Sequence, residues 1–205
     1  MKTRHAEPIL DCCAIILAGG LNSRMGGHNK ALLNVGGKRI VDRIQEVLVP
    51  VFDEILLVTR EPMIYRDLPF RVVEDLFDVR SSLTGIHAGL VQSRARYGFV
   101  VPCDAPFLQP DVIRAILAEV TPDVDVVVPS DGTYFQPLCA VYSKRCLPYI
   151  EAMLSRGDLK IYNFFGDVNL KTIPMERLAQ ADPQQRTFIN VNTPEMYRTF
   201  KNQLS

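Results

Sequence analysis

The sequence predicts an α/β protein with a mostly parallel sheet, helices on both faces and one antiparallel strand. Three observations predict it. Short, mostly apolar runs recur at 13–18, 54–59, 70–73, 98–102 and 124–128, and apolar runs of that length suit strands buried on both faces. Segments of helical periodicity separate the runs, and such alternation builds crossover units whose strands run the same way. After Pro129 the pattern changes: Asp131-Gly132 is a turn signal, and 137–142 reads as a strand returning antiparallel.

Element by element, residues 1–11 read as a loose tail before the first strand at 13–18. A helix is predicted over 40–49, with Ile40, Ile44, Val47 and Leu48 on one face and Pro50 helping to end it. Strands at 54–59 and 70–73 precede a helix at 85–94 and a strand at 98–102. The next helix covers 111–120, with Pro110 in its first turn, where the missing N–H costs nothing. A strand at 124–128 and the antiparallel strand follow, then helices at 144–155 and 194–203. Thr193 is placed to cap the last helix, with Pro194 at its first position. No repeat, low-complexity segment or linker divides the chain, so 12–205 reads as a single domain.

Composition narrows the function. The chain has 205 residues, 47% of them apolar, enough to bury a large core. Its 23 basic and 23 acidic residues cancel, which argues against nucleic acid or an anionic membrane as main partner. No apolar run approaches transmembrane length, and Glu7 and Asp11 interrupt the only stretch that could mimic a targeting segment. Five cysteines without a CxxC pair suggest neither a disulfide framework nor a zinc site, and a reduced, cytoplasmic setting is expected. His5, His28 and His87 lack partner spacing for metal or triad chemistry.

The chemistry concentrates after the first strand, in Leu17-Ala18-Gly19-Gly20-Leu21-Asn22-Ser23-Arg24-Met25-Gly26-Gly27-His28-Asn29-Lys30. Glycines let backbone N–H groups approach a ligand closely. An acid-free glycine loop carrying Arg24 and Lys30 is an anion cradle suited to a polyphosphate. It is not a Walker loop, because Lys30 follows Asn29 and precedes Ala31, and its glycine spacing does not match the dinucleotide fingerprint. Two more segments fall at strand ends, where ligands collect in open parallel sheets: Glu74-Asp75 and Cys103-Asp104. Asp104, stiffened by Pro102 and Pro106, is suited to Mg²⁺, which takes one or two carboxylates plus substrate phosphates. Asp75 can accept from a base or sugar edge or cap a turn. Asn190 and Asn192 alternate on one side of an extended segment, so both amides can face a polar ligand.

Together these segments resemble the molybdenum cofactor guanylyltransferases. The likeness rests on Leu17-Ala18-Gly19-Gly20, Arg24-Met25-Gly26, Lys30, Val73-Glu74-Asp75, Pro102-Cys103-Asp104-Ala105-Pro106, Gln136-Pro137-Leu138-Cys139-Ala140-Val141-Tyr142 and Asn190-Val191-Asn192-Thr193-Pro194-Glu195. The resemblance implies a Rossmann-like three-layer sandwich that binds GTP and Mg²⁺ and joins GMP to molybdopterin, releasing pyrophosphate. It implies nucleotide contacts at Leu17, Ala18, Gly19, Gly20, Lys30, Asp75 and Asp104, with the metal on Asp104. Arg24, Lys30 and Asp104 would carry the catalysis, and Asn190 and Asn192 would lie on the pterin side, across the site from the loop. Molybdoenzymes or their chaperones would be the receiving partners. Three departures stand out. Asn29 occupies a position often held by Asp, Arg80-Ser81-Ser82-Leu83-Thr84-Gly85 is poorer in glycine and proline than usual, and Val58-Thr59-Arg60 lacks an Asn that some members use on the nucleotide. The alternatives are transfer of CMP to the same pterin, transfer to a sugar phosphate, and a nucleotide-binding scaffold without turnover. The cytidylyl relatives usually have Ala where this chain has Gly19, which favours GTP.

Overall fold

A computed structural model describes residues 11–20 and 29–201. Along the chain it contains β1 (Cys12–Leu17), a small hairpin of β2 (Asn34–Val35) and β3 (Lys38–Arg39), α1 (Ile40–Leu48), β4 (Ile55–Thr59), β5 (Arg71–Glu74), α2 (Ser82–Gln92), β6 (Tyr97–Pro102), α3 (Pro110–Leu117), β7 (Val126–Ser130), β8 (Ala140–Ser143), α4 (Leu147–Ser155), β9 (Leu170–Pro174), α5 (Met175–Leu178) and α6 (Pro194–Phe200).

One seven-stranded sheet runs β5-β4-β1-β6-β8-β7-β9. β1 pairs in parallel with both β4 and β6. The antiparallel strand, β8, is inserted between β6 and β7 and is antiparallel to both. The continuous apolar strands are buried on two faces, as their composition requires. Along β1, Cys13 and Ile15 join the core beneath α2 and α4, while Ala14 and Ile16 join the core beneath α1 and α3. In β7 Val126 and Val128 face one core and Val127 the other. The period-two alternation of side chains thus divides one strand between two helical layers, giving the three-layer α/β sandwich.

Close packing explains one glycine in particular. A Cβ at Gly89 would lie 2.5 Å from Ile15 Cγ2 and 2.8 Å from its Cδ1, so α2 reaches the sheet only because that Cβ is absent. Ile15 is fully buried and β-branched, and cannot swing away. Gly89→Ala would gain about 1 kcal/mol of helix propensity, but overpacking costs about 1–3 kcal/mol. Net destabilisation is expected, read as a lower denaturant midpoint with an unchanged slope.

Most expected elements occur, with informative shifts. α2 starts at Ser82 rather than 85, because Ser81 caps it: its side chain accepts from the Thr84 N–H at 3.1 Å. It ends at Gln92, where Ser93 turns extended. The helix expected over 144–155 divides into a 3-10 turn at Lys144–Cys146 and α4, with Pro148 in the first turn of α4. β8 begins at Ala140, not 137, because Gln136 and Cys139 close a turn through a 3.0 Å backbone bond. β9 was not expected: it is a short edge strand alongside β7, and of its residues only Ile173 is buried. The β2–β3 hairpin was also missed, although Gly36 and Gly37, both at positive φ, are the two-residue loop such a hairpin favours. Apart from Asp11, the tail expected at 1–11 lies outside the described residues.

The five cysteines are all unpaired. Burial pushes the thiols of Cys13, Cys139 and Cys146 from 9.0 up to about 12. A thiol whose value is raised on folding favours the folded state below its unfolded value, and that contribution is lost as pH rises through the folded value. Stability is therefore expected to fall as pH climbs from about 9 toward 12, checked by denaturant midpoints across that range. A mass-spectrometric alkylation assay should find these three thiols protected in the native protein at pH 8.

Candidate active site

The strand order reverses around β1. The chain runs outward from β1 to β4 and β5, then crosses back through α2 to β6 on the other side of β1. Loops leaving the carboxyl ends of these strands diverge there, and a cleft of about 490 Å³ opens between them. Gly19 and Gly20 enter it after β1, Thr59 from the end of β4, Asp75 after β5, and Cys103 and Asp104 after β6. Lys30, Asn190 and Asn192 complete the wall. Leu17 lines it as well. Ala18 is not among the lining residues, and its N–H donates to the Val58 carbonyl at 2.8 Å. Arg24 lies outside the described residues.

Lys30 is rooted by its neighbours. It opens a 3-10 turn, Lys30–Leu32, capped by Asn29, whose side-chain oxygen accepts from the Ala31 N–H at 3.0 Å. The Asn29 amide also donates to the Tyr65 hydroxyl oxygen at 2.8 Å. A carboxylate could not donate that bond, which is what Asn in place of Asp provides here. Burial pushes the Tyr65 phenol well above its usual range, so it stays protonated. The hairpin that follows is pinned by Arg43, which donates to the Val35 and Gly36 carbonyls at 2.7 and 2.8 Å.

The Lys30 ammonium donates to Asp104 Oδ2 at 2.9 Å and to Asn192 Oδ1 at 2.6 Å. Both members of the ion pair are mostly withdrawn from solvent, with side chains 16% and 12% exposed. The Asp104 carbonyl accepts from the Val191 N–H at 2.8 Å, stitching the C-terminal segment to the β6 loop. Val191 is fully buried, and the flanking Asn190 and Asn192 line the cleft, as strand-like alternation requires. Asn192 does not, however, stand across the site from Lys30, the described end of the loop. Asn192 meets Lys30 directly, because Val191 and Asp104 bring the two segments together.

At the other end of the cleft, Asp75 is held on both oxygens. Oδ2 accepts from the Thr84 hydroxyl at 2.7 Å and Oδ1 from the Phe77 N–H at 3.3 Å. It therefore caps its own loop and also lines the cleft, so neither of its two sequence readings displaces the other. Arg60, in the strand end that lacks the Asn some members use, donates to the Phe77 carbonyl and braces that same loop. Sequence reasoning missed Thr59, Arg80, Ser81, Ser82 and Gly85 as lining residues. The available signal was the capping pattern of Ser81 with Thr84 three residues on.

The chemistry is electrostatic rather than nucleophilic. Burial, aided by the neighbouring Asp104 charge, pushes the Cys103 thiol up to about 12, which leaves it inert. Among the described residues no three His, Cys, Asp or Glu side chains cluster as a metal cage. Asp104 offers one oxygen, Oδ1, to which no hydrogen bond is made among the described residues. A hard cation that completes its shell with water and phosphate oxygens fits that donor set.

The fold carries a strand-end cleft with a glycine turn and a Lys–Asp ion pair, and the chain is a nucleotidyltransferase: it belongs to the MobA-like NTP transferase domain family, which matches residues 14–173. Two relatives make the likeness more particular. The molybdenum cofactor guanylyltransferase of Desulfosudis oleivorans is 41% identical over 88% of this chain and 90% of its own length. That of Vibrio campbellii is 34% identical over 91% and 93%. Among solved structures, the molybdopterin-guanine dinucleotide biosynthesis protein A of Archaeoglobus fulgidus superposes with a TM-score of 0.79 at 25% identity, covering 94% of this chain and 97% of that one. No helix among the described residues is long and apolar enough to cross a membrane.

Proposed function

We propose that the protein transfers GMP from GTP to molybdopterin, releasing pyrophosphate and forming the guanine dinucleotide form of the cofactor. The observation that carries this reading is the Lys30–Asp104–Asn192 cluster, set in one cleft with Gly19, Gly20 and Asp75, in a chain so similar to named guanylyltransferases. The terminal phosphate of molybdopterin is already anionic at neutral pH, so an oxygen on it attacks the α-phosphorus of GTP without a general base. The bond from that phosphorus to the bridging oxygen breaks, and pyrophosphate leaves with the electron pair. The obstacle is repulsion between two polyanions. Lys30 and the N–H groups after β1 offset it and hold the two substrates in line. Asp104 would hold Mg²⁺, which supplies further neutralisation of the triphosphate. Asp75 binds the nucleoside. Asn190 and Asn192 face the pterin, and Asn192, by bonding Lys30, stands where the two substrates meet. Five free thiols suit a cytoplasmic setting.

The test incubates the protein with each labelled nucleoside triphosphate, Mg²⁺ and molybdopterin, and identifies the adduct by mass. A GMP adduct is expected. GTP should also raise the melting temperature more than CTP or ATP, since a ligand at 100 times its Kd adds about 2.7 kcal/mol to the folded state. A CMP adduct would move the protein to the cytidylyl class, and no adduct with any triphosphate would make it a scaffold.

A further inference from the structure

We propose that Thr84 is a positioning residue: from the first turn of α2 its hydroxyl aims the Asp75 carboxylate at the nucleoside. The inference rests on the GTP reading above and names the group that orients its nucleoside contact.

The argument starts at the cap of α2. Ser81 accepts from the Thr84 N–H at 3.1 Å, and the Ser81 N–H donates back to Thr84 Oγ1 at 3.3 Å. A capping box normally uses Glu or Gln at this third position. Thr is shorter, so its hydroxyl stays at the helix end, fully buried and beside the loop that follows β5. That hydroxyl has one proton and two acceptors within reach, the Ser81 carbonyl at 2.8 Å and Asp75 Oδ2 at 2.7 Å. A bond to a carboxylate is charge-assisted and the stronger of the two, so the proton goes to Asp75.

The other carboxylate oxygen takes the Phe77 N–H. Phe77 is itself fixed: Arg60 bonds its carbonyl, and its ring meets His87 of α2 edge-on at 4.9 Å. The loop is thus fastened to α2 at two points, and Thr84 is the one that touches the carboxylate. Asp75 still lines the cleft, with lone pairs left for donors of the nucleoside, either the N–H groups of guanine or the ribose hydroxyls. Fixing the acceptor beforehand spares the ordering cost at binding. Such a role acts on nucleotide affinity and leaves the phosphoryl-transfer step and the pterin contacts alone.

The experiment compares wild type with Thr84→Val, which keeps the shape and loses the hydroxyl, Thr84→Ser, which keeps the hydroxyl, Asp75→Ala, which removes the acceptor, and the Val/Ala double variant. Melting temperatures establish that each is folded, and Thr84→Ala replaces Val if the latter is not. Thr84→Val is expected to raise KM for GTP about tenfold, the effect of one hydrogen bond to a charged group. Its kcat and its KM for molybdopterin should stay within about twofold, and Thr84→Ser should restore the GTP value. In the Asp75→Ala background, where the acceptor is gone, the valine should add less than about twofold, because the two residues act through one bond. Repeating the series with ITP, which lacks the guanine 2-amino group, and dGTP, which lacks the ribose 2′-hydroxyl, tests those two donors, since an analogue lacking the donor loses the Thr84 effect. An unchanged KM for GTP in Thr84→Val, an equal change in all three constants, or a full additional cost in the Asp75→Ala background overturns the proposal. If wild type makes no guanine dinucleotide, the function reading fails by itself; calorimetric GTP binding by wild type and Thr84→Val then decides the role of Thr84 on the same criteria.

Discussion

Asp104→Asn is expected to lower Mg²⁺-dependent turnover by about 10²–10³-fold, the usual effect of removing one electrostatic contact in the transition state, while the protein stays folded. The substitution keeps the shape of the side chain. Its amide oxygen can still accept from Lys30, now at 2.9 Å from Oδ2, and the backbone bond from Val191 is untouched. Only the negative charge disappears, and with it the affinity for a hard cation. The amide oxygen and Asn192 Oδ1 still accept from the Lys30 ammonium, so the stability loss should be smaller than that of a stranded buried charge, about 3–5 kcal/mol. Each loss of about 1 kcal/mol lowers the melting temperature by about 2–4 °C. Turnover at saturating Mg²⁺ and a melting curve together check it, and near-wild-type turnover would remove Asp104 from the site.

Lys30→Met should be more damaging, because it harms both activity and fold. It keeps the length of the chain and deletes the charge. The Asp104 carboxylate, 12% exposed, is then left without its cation, and stranding one member of a buried pair costs about 3–5 kcal/mol. Asn192 loses its 2.6 Å donor as well. Turnover should fall by at least the factor expected for Asp104→Asn. The double variant Lys30→Met/Asp104→Asn should regain much of the lost stability, because the stranded charge is gone, but none of the activity. Denaturant unfolding of the three proteins separates these effects. A single Lys30→Met variant as stable as wild type would show that Asp104 is not dependent on this partner.

The legible parts of the site were those whose chemistry is local. The glycine loop follows β1 within a few residues, so its place at a strand end could be read from Ile15, Ile16 and Leu17 leading into Gly19-Gly20. Asp104 could be read the same way, from the apolar β6 and its prolines. Asp75 was legible as a strand-end acid but not as a residue held by Thr84, since the bond depends on where α2 begins and which way its first turn faces. Arg60 was legible only as part of a strand end without an Asn, and its service to the Phe77 carbonyl needed the loop after β5 to be in place.

Periodicity and composition were enough for the α/β class, the parallel strands and the order of elements, because burial on two faces writes itself into consecutive apolar residues such as those of β1 and β6. Where the pattern is weak, packing made the choice. β9 has two adjacent polar residues, Lys171 and Thr172, that break the strand alternation, and it buries only Ile173, so it is a strand because β7 offers it an edge. β8 lies inside the sheet rather than at its margin for a similar reason: pairing partners on both sides bury Val141 and Tyr142. The meeting of Lys30 with Asn192, separated by 162 residues, carries no trace in either segment alone. It arises because Val191 pairs with the Asp104 carbonyl and buries its side chain. Local backbone preference and hydrophobic alternation act over a few residues and can be read from the chain, whereas desolvated contacts between distant segments exist only once the core has closed around them.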